Sequence, residues 1–214
     1  MEIASRPGET RRGWLVGALA AAGTVAATRA PPVVTLLGDS ITAGYGLRAS
    51  AALPTRLQAE MARLGVATRV RGAGVSGDTT ADGLARVDFS VQSDTAVCVV
   101  ALGGNDLLQG LEPSVTRANL DQIVRRLRAR HIAVVLAGLT VPRAMGAGYA
   151  RDFDAVFPAV ARDTGASLYP DLLAGVARVS GLNQADGIHP NAAGVNVIAA
   201  RLAPVVARSL RGLR

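Results

Sequence analysis

The sequence predicts an α/β fold: a mostly parallel, doubly wound sheet of five strands with helices on both faces. Three observations carry that prediction. Short, continuously apolar runs recur along the chain, as expected of parallel strands buried on both sides. Between them lie segments whose apolar residues repeat at helical spacing. The chain has 214 residues, half of them apolar, which suits one core.

Residues 1–30 precede this pattern and read as a leader. Arg11-Arg12 stand before an apolar stretch, Trp14–Ala27, that is too short and too rich in Ala and Gly for a comfortable membrane span. Ala26, Ala27 and Ala30 offer small residues for cleavage, and residues 10–15 resemble a twin-arginine export signal. An uncleaved amphipathic anchor and a disordered tail are the competing readings. Pro31-Pro32 open the domain expected over residues 31–214.

From there strands and helices alternate. Val33–Leu37 reads as the first strand, and Leu53, Leu57, Met61 and Leu64 mark a helix. Val66–Val70 is the second strand, followed by a glycine-rich loop over 72–80 and a short helix ending near Phe89. Thr95–Leu102 is the third strand. Pro113 suits the first turn of a helix whose Leu120, Ile123, Val124 and Leu127 share one face. Ile132–Leu136 is the fourth strand. Tyr149, Phe153, Val156, Phe157 and Val160 stripe the next helix, with a kink expected at Pro158. Ser167–Tyr169 is the fifth strand. Val195, Ile198, Leu202, Val205 and Leu210 mark a last helix, with a second kink expected at Pro204.

Composition narrows the function. The formal charge is +7 and every basic residue is Arg, but the arginines are scattered and almost no aromatics lie between them. That describes a solvated basic surface, not a nucleic-acid platform. The run Arg125, Arg126, Arg128 and Arg130 falls at a helix end, where cations suit the macrodipole. A single cysteine, Cys98, excludes an intramolecular disulfide, and its apolar neighbours predict a buried thiol. Two histidines, His131 and His189, cannot make a His-rich metal site. His131, between a basic helix end and a strand, reads as a surface or cap residue.

In doubly wound sheets ligands sit outside the carboxyl ends of the strands. Ser40, Gly77 and Asn105 all follow predicted strands, so the fold would gather them at one edge. Gly38-Asp39-Ser40 alone is ambiguous, because Asp and Ser also cap helices. A serine nucleophile needs a base, a group that orients the base, and donors for the oxyanion. His189 is the base candidate. Asp186, three residues earlier across Gly187, is placed to hold one ring nitrogen and fix the tautomer. A turn-and-cap role for Asp186 and Asn191, with His189 exposed between them, stands beside that reading. The Asn105 amide, reached through Gly103-Gly104, and the N–H groups of Gly77 and Ser40 are the donor candidates. Residues 72–77 also spell G-x-G-x-x-G. That fingerprint is discounted here because it follows the second strand and precedes Asp78, whose charge would repel a pyrophosphate.

Taken in order, Gly38-Asp39-Ser40, Ser76-Gly77-Asp78-Thr79, Gly103-Gly104-Asn105-Asp106 and Asp186-Gly187-Ile188-His189-Pro190 resemble the SGNH (GDSL) hydrolases. The similarity is to the compact branch of thioesterase I, lysophospholipase and arylesterase, and runs through about residues 33–210. The resemblance implies a three-layer αβα sandwich with a flavodoxin-like sheet. It implies Ser40 as nucleophile, His189 as base, Asp186 as its orienting residue, and Ser40, Gly77 and Asn105 as oxyanion donors. It places a loop at 107–111 over the acyl chain, with Leu107, Leu108 and Leu111 against the substrate. The activity expected is hydrolysis of carboxylic esters or thioesters without metal or cofactor, by a periplasmic or secreted monomer that lacks a stable membrane span once mature. A carbohydrate-ester deacetylase of the same family is the nearer alternative; a nucleotide-binding module without catalysis is the more distant one.

Overall fold

The computed structural model describes residues 30–213, with Met1, Glu2 and Ala4 ahead of them. The chain divides into two units, Met1–Ala30 and Pro31–Arg214, and the architecture below is that of the second. The leader expected over residues 1–30, including Arg11-Arg12 and its apolar stretch, lies outside the described residues.

Five strands build one sheet: β1 Val33–Gly38, β2 Arg69–Gly74, β3 Thr95–Ala101, β4 Ala133–Ala137 and β5 Ser167–Tyr169. All neighbours pair in parallel, in the order β2-β1-β3-β4-β5. The order reverses between β1 and β3, which opens a crevice at their carboxyl ends. The helices are α1 Ser40–Ala43, α2 Leu53–Arg63, α3 Thr80–Ser90, α4 Gly104–Leu108, α5 Pro113–Ala129, α6 Ala147–Asp154, α7 Val156–Thr164 and α8 Ala192–Arg211.

Alternate strand residues feed two cores, one on each face. Val34, Leu36, Val97, Val99 and Val135 pack with Leu53, Leu57 and Met61 of α2 and with Val195, Ile198 and Leu202 of α8. Leu37, Cys98, Val100, Val134 and Leu136 pack with Val87 of α3, Leu120, Ile123 and Leu127 of α5, and Phe153 and Phe157. Each fully buried Leu or Val contributes about 1.5–3 kcal/mol. Burial pushes the Cys98 thiol up to about 12, so it stays protonated within the second core. His131, with φ of 59°, follows the end of α5 and caps it through its N–H to Arg128. The basic run before it is largely paired: Arg125 meets Asp121, and Arg126 and Arg130 meet Asp88.

Two elements depart from the sequence pattern, each for a packing reason. β2 spans Arg69–Gly74, not Val66–Val70, so its second half is made of residues expected in a loop. A Cβ on Gly74 would lie 2.3 Å from the Ala43 nitrogen, and one on Gly72 2.9 Å from Pro54 Cγ. Helices α1 and α2 therefore rest on the strand's bare backbone, and the glycines serve contact with protein. The helix expected across Pro158 is two helices, broken at Ala155. Pro158 lies in the first turn of α7, where a missing N–H costs nothing, while its ring excludes a carbonyl four residues earlier. No interruption occurs at Pro204: α8 is one helix of 20 residues. Ala200, whose carbonyl Pro204 cannot serve, is exposed to solvent, and nine buried residues hold α8 to the sheet.

Candidate functional site

The crevice between β1 and β3 begins at Gly38. A Cβ there would meet Thr42 Oγ1 at 2.1 Å and the Ala101 carbonyl at 2.8 Å, so only glycine lets β1 turn directly into α1. Asp39 caps that helix, its carboxylate accepting from the Ile41 N–H at 3.0 Å. The side chain is 6% exposed. Burial raises its carboxyl to about 6, against the opposing pull of the Ile41 N–H and of a charged His189. Ser40 follows at the first helical position, and its N–H makes no hydrogen bond among the described residues.

Across the crevice lies the loop before α8. Asp186 folds back on its own segment: Oδ1 accepts from the Ile188 N–H at 2.9 Å and the His189 N–H at 3.0 Å, with Gly187 turning at φ 69°. Oδ2 meets His189 Nδ1 at 2.6 Å. These three bonds, led by the His189 backbone N–H, hold the Asp186 carboxyl down at about 2. An ionised carboxylate only accepts, so Nδ1 carries the proton and Nε2 presents a lone pair. Nε2 lies 2.9 Å from Ser40 Oγ. The Tyr45 ring covers the imidazole, centroid to centroid 4.6 Å. Gln184 Nε2 bonds the Tyr45 carbonyl at 2.8 Å, which docks the loop on the segment after α1.

Asn105 enters from the first turn of α4, whose cap Gly103 has φ of 111°. Its amide donates to the Asp78 carbonyl at 2.8 Å, leaving its second N–H for a ligand. Asp106 beside it is fully buried and accepts from the Thr80 N–H, Thr80 Oγ1 and Thr116 Oγ1, fixing α4 against α3 and α5. Arg86 ties the crevice edge together. Its guanidinium donates to Asp78 Oδ2 at 2.5 Å, to the Ala73 carbonyl and to the Gly38 carbonyl at 2.9 Å. One side chain thus joins the strand that leads to Ser40 to the turn that holds Gly77.

A cavity of about 470 Å³ opens beside Ser40, His189 and Asn105, with Leu107, Leu139, Val141, Pro142 and Leu172 on its walls. The GDSL-like Lipase/Acylhydrolase family profile matches residues 36–197. The chain belongs to this family. It is 40% identical over 156 residues to Esterase TesA of Pseudomonas aeruginosa, covering 72% of this chain and 78% of that protein. It is 36% identical over 157 residues to Thioesterase 1/protease 1/lysophospholipase L1 of Escherichia coli strain K12, covering 73% and 74%. The crystal structure of AlinE4, an SGNH-hydrolase family esterase, aligns with a TM-score of 0.72 at 39% identity over 86% of this chain and 98% of that one. The chain is accordingly a hydrolase acting on ester bonds.

Within this GDSL hydrolase the expected site residues are unequally placed. Ser40, His189, Asn105, Leu107 and Leu108 all line the cavity. Asp186 stands behind the imidazole. Gly77 is exposed and outside the lining; a Cβ there would touch nothing within 4 Å. Its glycine is required by φ of 90° in the turn closed by the Asp78 N–H on the Val75 carbonyl, and not by close approach. The 107–111 segment is not an open loop, because residues through Leu108 belong to α4. Leu111 does not line the cavity; its carbonyl accepts from the Tyr149 hydroxyl at 2.8 Å and so anchors α6. The segments after β4 and β5 were missed as walls. They carry no motif, and only the rule that ligands gather at carboxyl ends of strands pointed to them.

Proposed function

We propose that the chain is a serine esterase that cleaves carboxylic esters or thioesters through an acyl-Ser40 intermediate. The observation that carries this reading is the pair of hydrogen bonds Ser40 Oγ–His189 Nε2, 2.9 Å, and His189 Nδ1–Asp186 Oδ2, 2.6 Å, at the edge of an apolar cavity. Ser40 Oγ attacks the carbonyl carbon and its proton passes to Nε2. The C–O or C–S bond then breaks, and the leaving alkoxide or thiolate takes the proton from the imidazolium. Water, deprotonated by the same nitrogen, cleaves the acyl-enzyme and returns the proton to Ser40. Asp186 holds the tautomer and balances the imidazolium. The N–H groups of Ser40 and Gly77 and the free Asn105 amide proton receive the charge on the carbonyl oxygen.

Leu107 and Leu108, with the walls from the segments after β4 and β5, hold the acyl or aryl group. Residues 1–30 direct export to the periplasm or beyond, and the mature domain acts as a monomer without a membrane span. The apolar stripe of α8, long enough to cross a bilayer by length and composition, is half buried against the sheet, which supports this. The test is hydrolysis of a p-nitrophenyl ester by Ser40→Ala. The proposal requires a loss of at least about 10³-fold in kcat with unchanged circular dichroism. A folded variant that retains near-normal turnover would remove Ser40 from the chemistry.

A further inference from the structure

We propose that Tyr45 is a positioning residue for the base: its ring holds the His189 imidazole toward Ser40 and stabilises the positive charge that the imidazole takes up during turnover. This rests on the serine-esterase reading and adds to it a group that acts through His189.

Tyr45 is 54% exposed and belongs to neither core, so the fold gains little from its ring. The backbone beneath that ring is nevertheless tied down on both sides of the crevice. Its N–H donates to the Ser40 carbonyl at 3.0 Å, and its carbonyl accepts from Gln184 Nε2 at 2.8 Å. Gln184 belongs to the loop of the base: the same Nε2 donates to the Pro190 carbonyl, and its backbone N–H to the His189 carbonyl. A Cβ on Gly46 would lie 2.2 Å from Gln184 Oε1, so a bare backbone beside Tyr45 lets the two segments meet. What this anchored segment presents to the site is the ring. It lies 4.6 Å from the imidazole, centroid to centroid, tilted by 36°. Tyr45 does not line the cavity beside Ser40, which separates it from the residues placed to touch substrate.

Two consequences follow for an imidazole that is 20% exposed on an irregular loop. The ring occupies one side of it and restricts rotation away from Ser40, which keeps Nε2 in reach of the hydroxyl. The ring face also carries the negative part of its quadrupole and attracts a cation within about 6 Å of its centroid. Neutral imidazole gains little from that face, whereas the imidazolium formed during acylation and deacylation gains more. The interaction is therefore stronger in the transition state than in the resting enzyme. The charged groups facing His189 are Asp186, through Nδ1 at 2.6 Å, and Asp39 of the β1–α1 corner. Tyr45 adds an uncharged group on the side of the segment after α1.

The experiment measures hydrolysis of a p-nitrophenyl ester from pH 5 to 9 by wild type, Tyr45→Leu, Tyr45→Ala, Tyr45→Phe and Ser40→Ala, with melting temperature recorded for each. The Leu and Ala variants lose about 3- to 30-fold in kcat with KM little changed. Tyr45→Phe keeps the ring and recovers most of that loss. Removing a group that favours the charged imidazole makes protonation harder, so the acid limb of kcat/KM moves to lower pH, by about 0.5–1 pH unit, in Leu and Ala. Melting temperatures change little, because the ring is exposed. A lower melting temperature with kcat and the acid limb unchanged would assign the ring a structural role and overturn the proposal. A rise in KM alone, a fall in kcat with an unmoved limb, or equal losses in Phe and Leu would overturn it too. Each of those results, with Ser40→Ala inactive, leaves the esterase reading standing. A folded Ser40→Ala that still turns over the ester overturns that reading, and the role of Tyr45 with it.

Discussion

Two regions meet at the Ser40–His189 hydrogen bond, and they hold their aspartates in opposite ways. On the strand side, Asp39 is 6% exposed and its carboxyl is raised to about 6, chiefly by burial. On the loop side, Asp186 is exposed and held at about 2 by N–H donors from Ile188 and His189. Ser40 is therefore carried by the packed framework, where Gly38 admits no side chain. His189 is carried by an irregular segment fixed by polar contacts, such as the Gln184 N–H on the His189 carbonyl at 2.8 Å and the Gln184 amide on Tyr45. The difference teaches where damage should register. Changes on the loop side should register in turnover, and changes on the strand side, Ser40 itself apart, in stability and its pH dependence.

The largest expected effect is on the loop. Asp186→Asn removes the acceptor that fixes the proton on Nδ1 and should lower kcat by about 10³–10⁴-fold. Because the side chain is exposed, the melting temperature should move little. A large loss of stability with modest loss of turnover would reverse the comparison. At working pH this carboxylate is always ionised. The stability it contributes is present above the unfolded value of ~3.9 and lost only as pH falls through about 2.

Asp39→Asn should have the smaller effect, and it should appear as a slope. The folded pKa of Asp39 lies above the unfolded value, so its contribution is complete below ~pH 4 and is lost as pH rises through about 6. The shift corresponds to about 3 kcal/mol. Asparagine still accepts from Ile41 but does not titrate. Relative to wild type, the variant should gain about 2–3 kcal/mol between pH 4 and pH 7 in urea denaturation. A difference that does not change with pH would show that the burial of Asp39 is not what sets its charge.

The same contrast explains what could be read from the sequence. The fold was legible because β1, β3 and β4 are buried on both faces and must be apolar throughout. β2 was misplaced because it is an edge strand covered by helix backbone, which asks for glycine where a pattern search expects valine. The break near Pro158 was displaced to Ala155, while α8 runs unbroken through Pro204, held by nine buried residues. The nearness of Asp186 and His189 was legible because a short Asp–Gly turn fixes their spacing, whereas that of Ser40, distant in sequence, rested on the strand-end rule and on the family resemblance. Leu111 was harder, because lining depends on how separate loops meet. The walls after β4 and β5 were least legible, since any apolar side chain serves there.

The central claim is that His189, held by Asp186, activates Ser40. The most direct measurement is the rate of covalent labelling by a fluorophosphonate, with the adduct located by peptide mass spectrometry in wild type and in His189→Ala. The account predicts a single adduct on Ser40 and a rate at least about 10²-fold lower in the folded variant. An adduct on another residue, or an equal rate without His189, would contradict it.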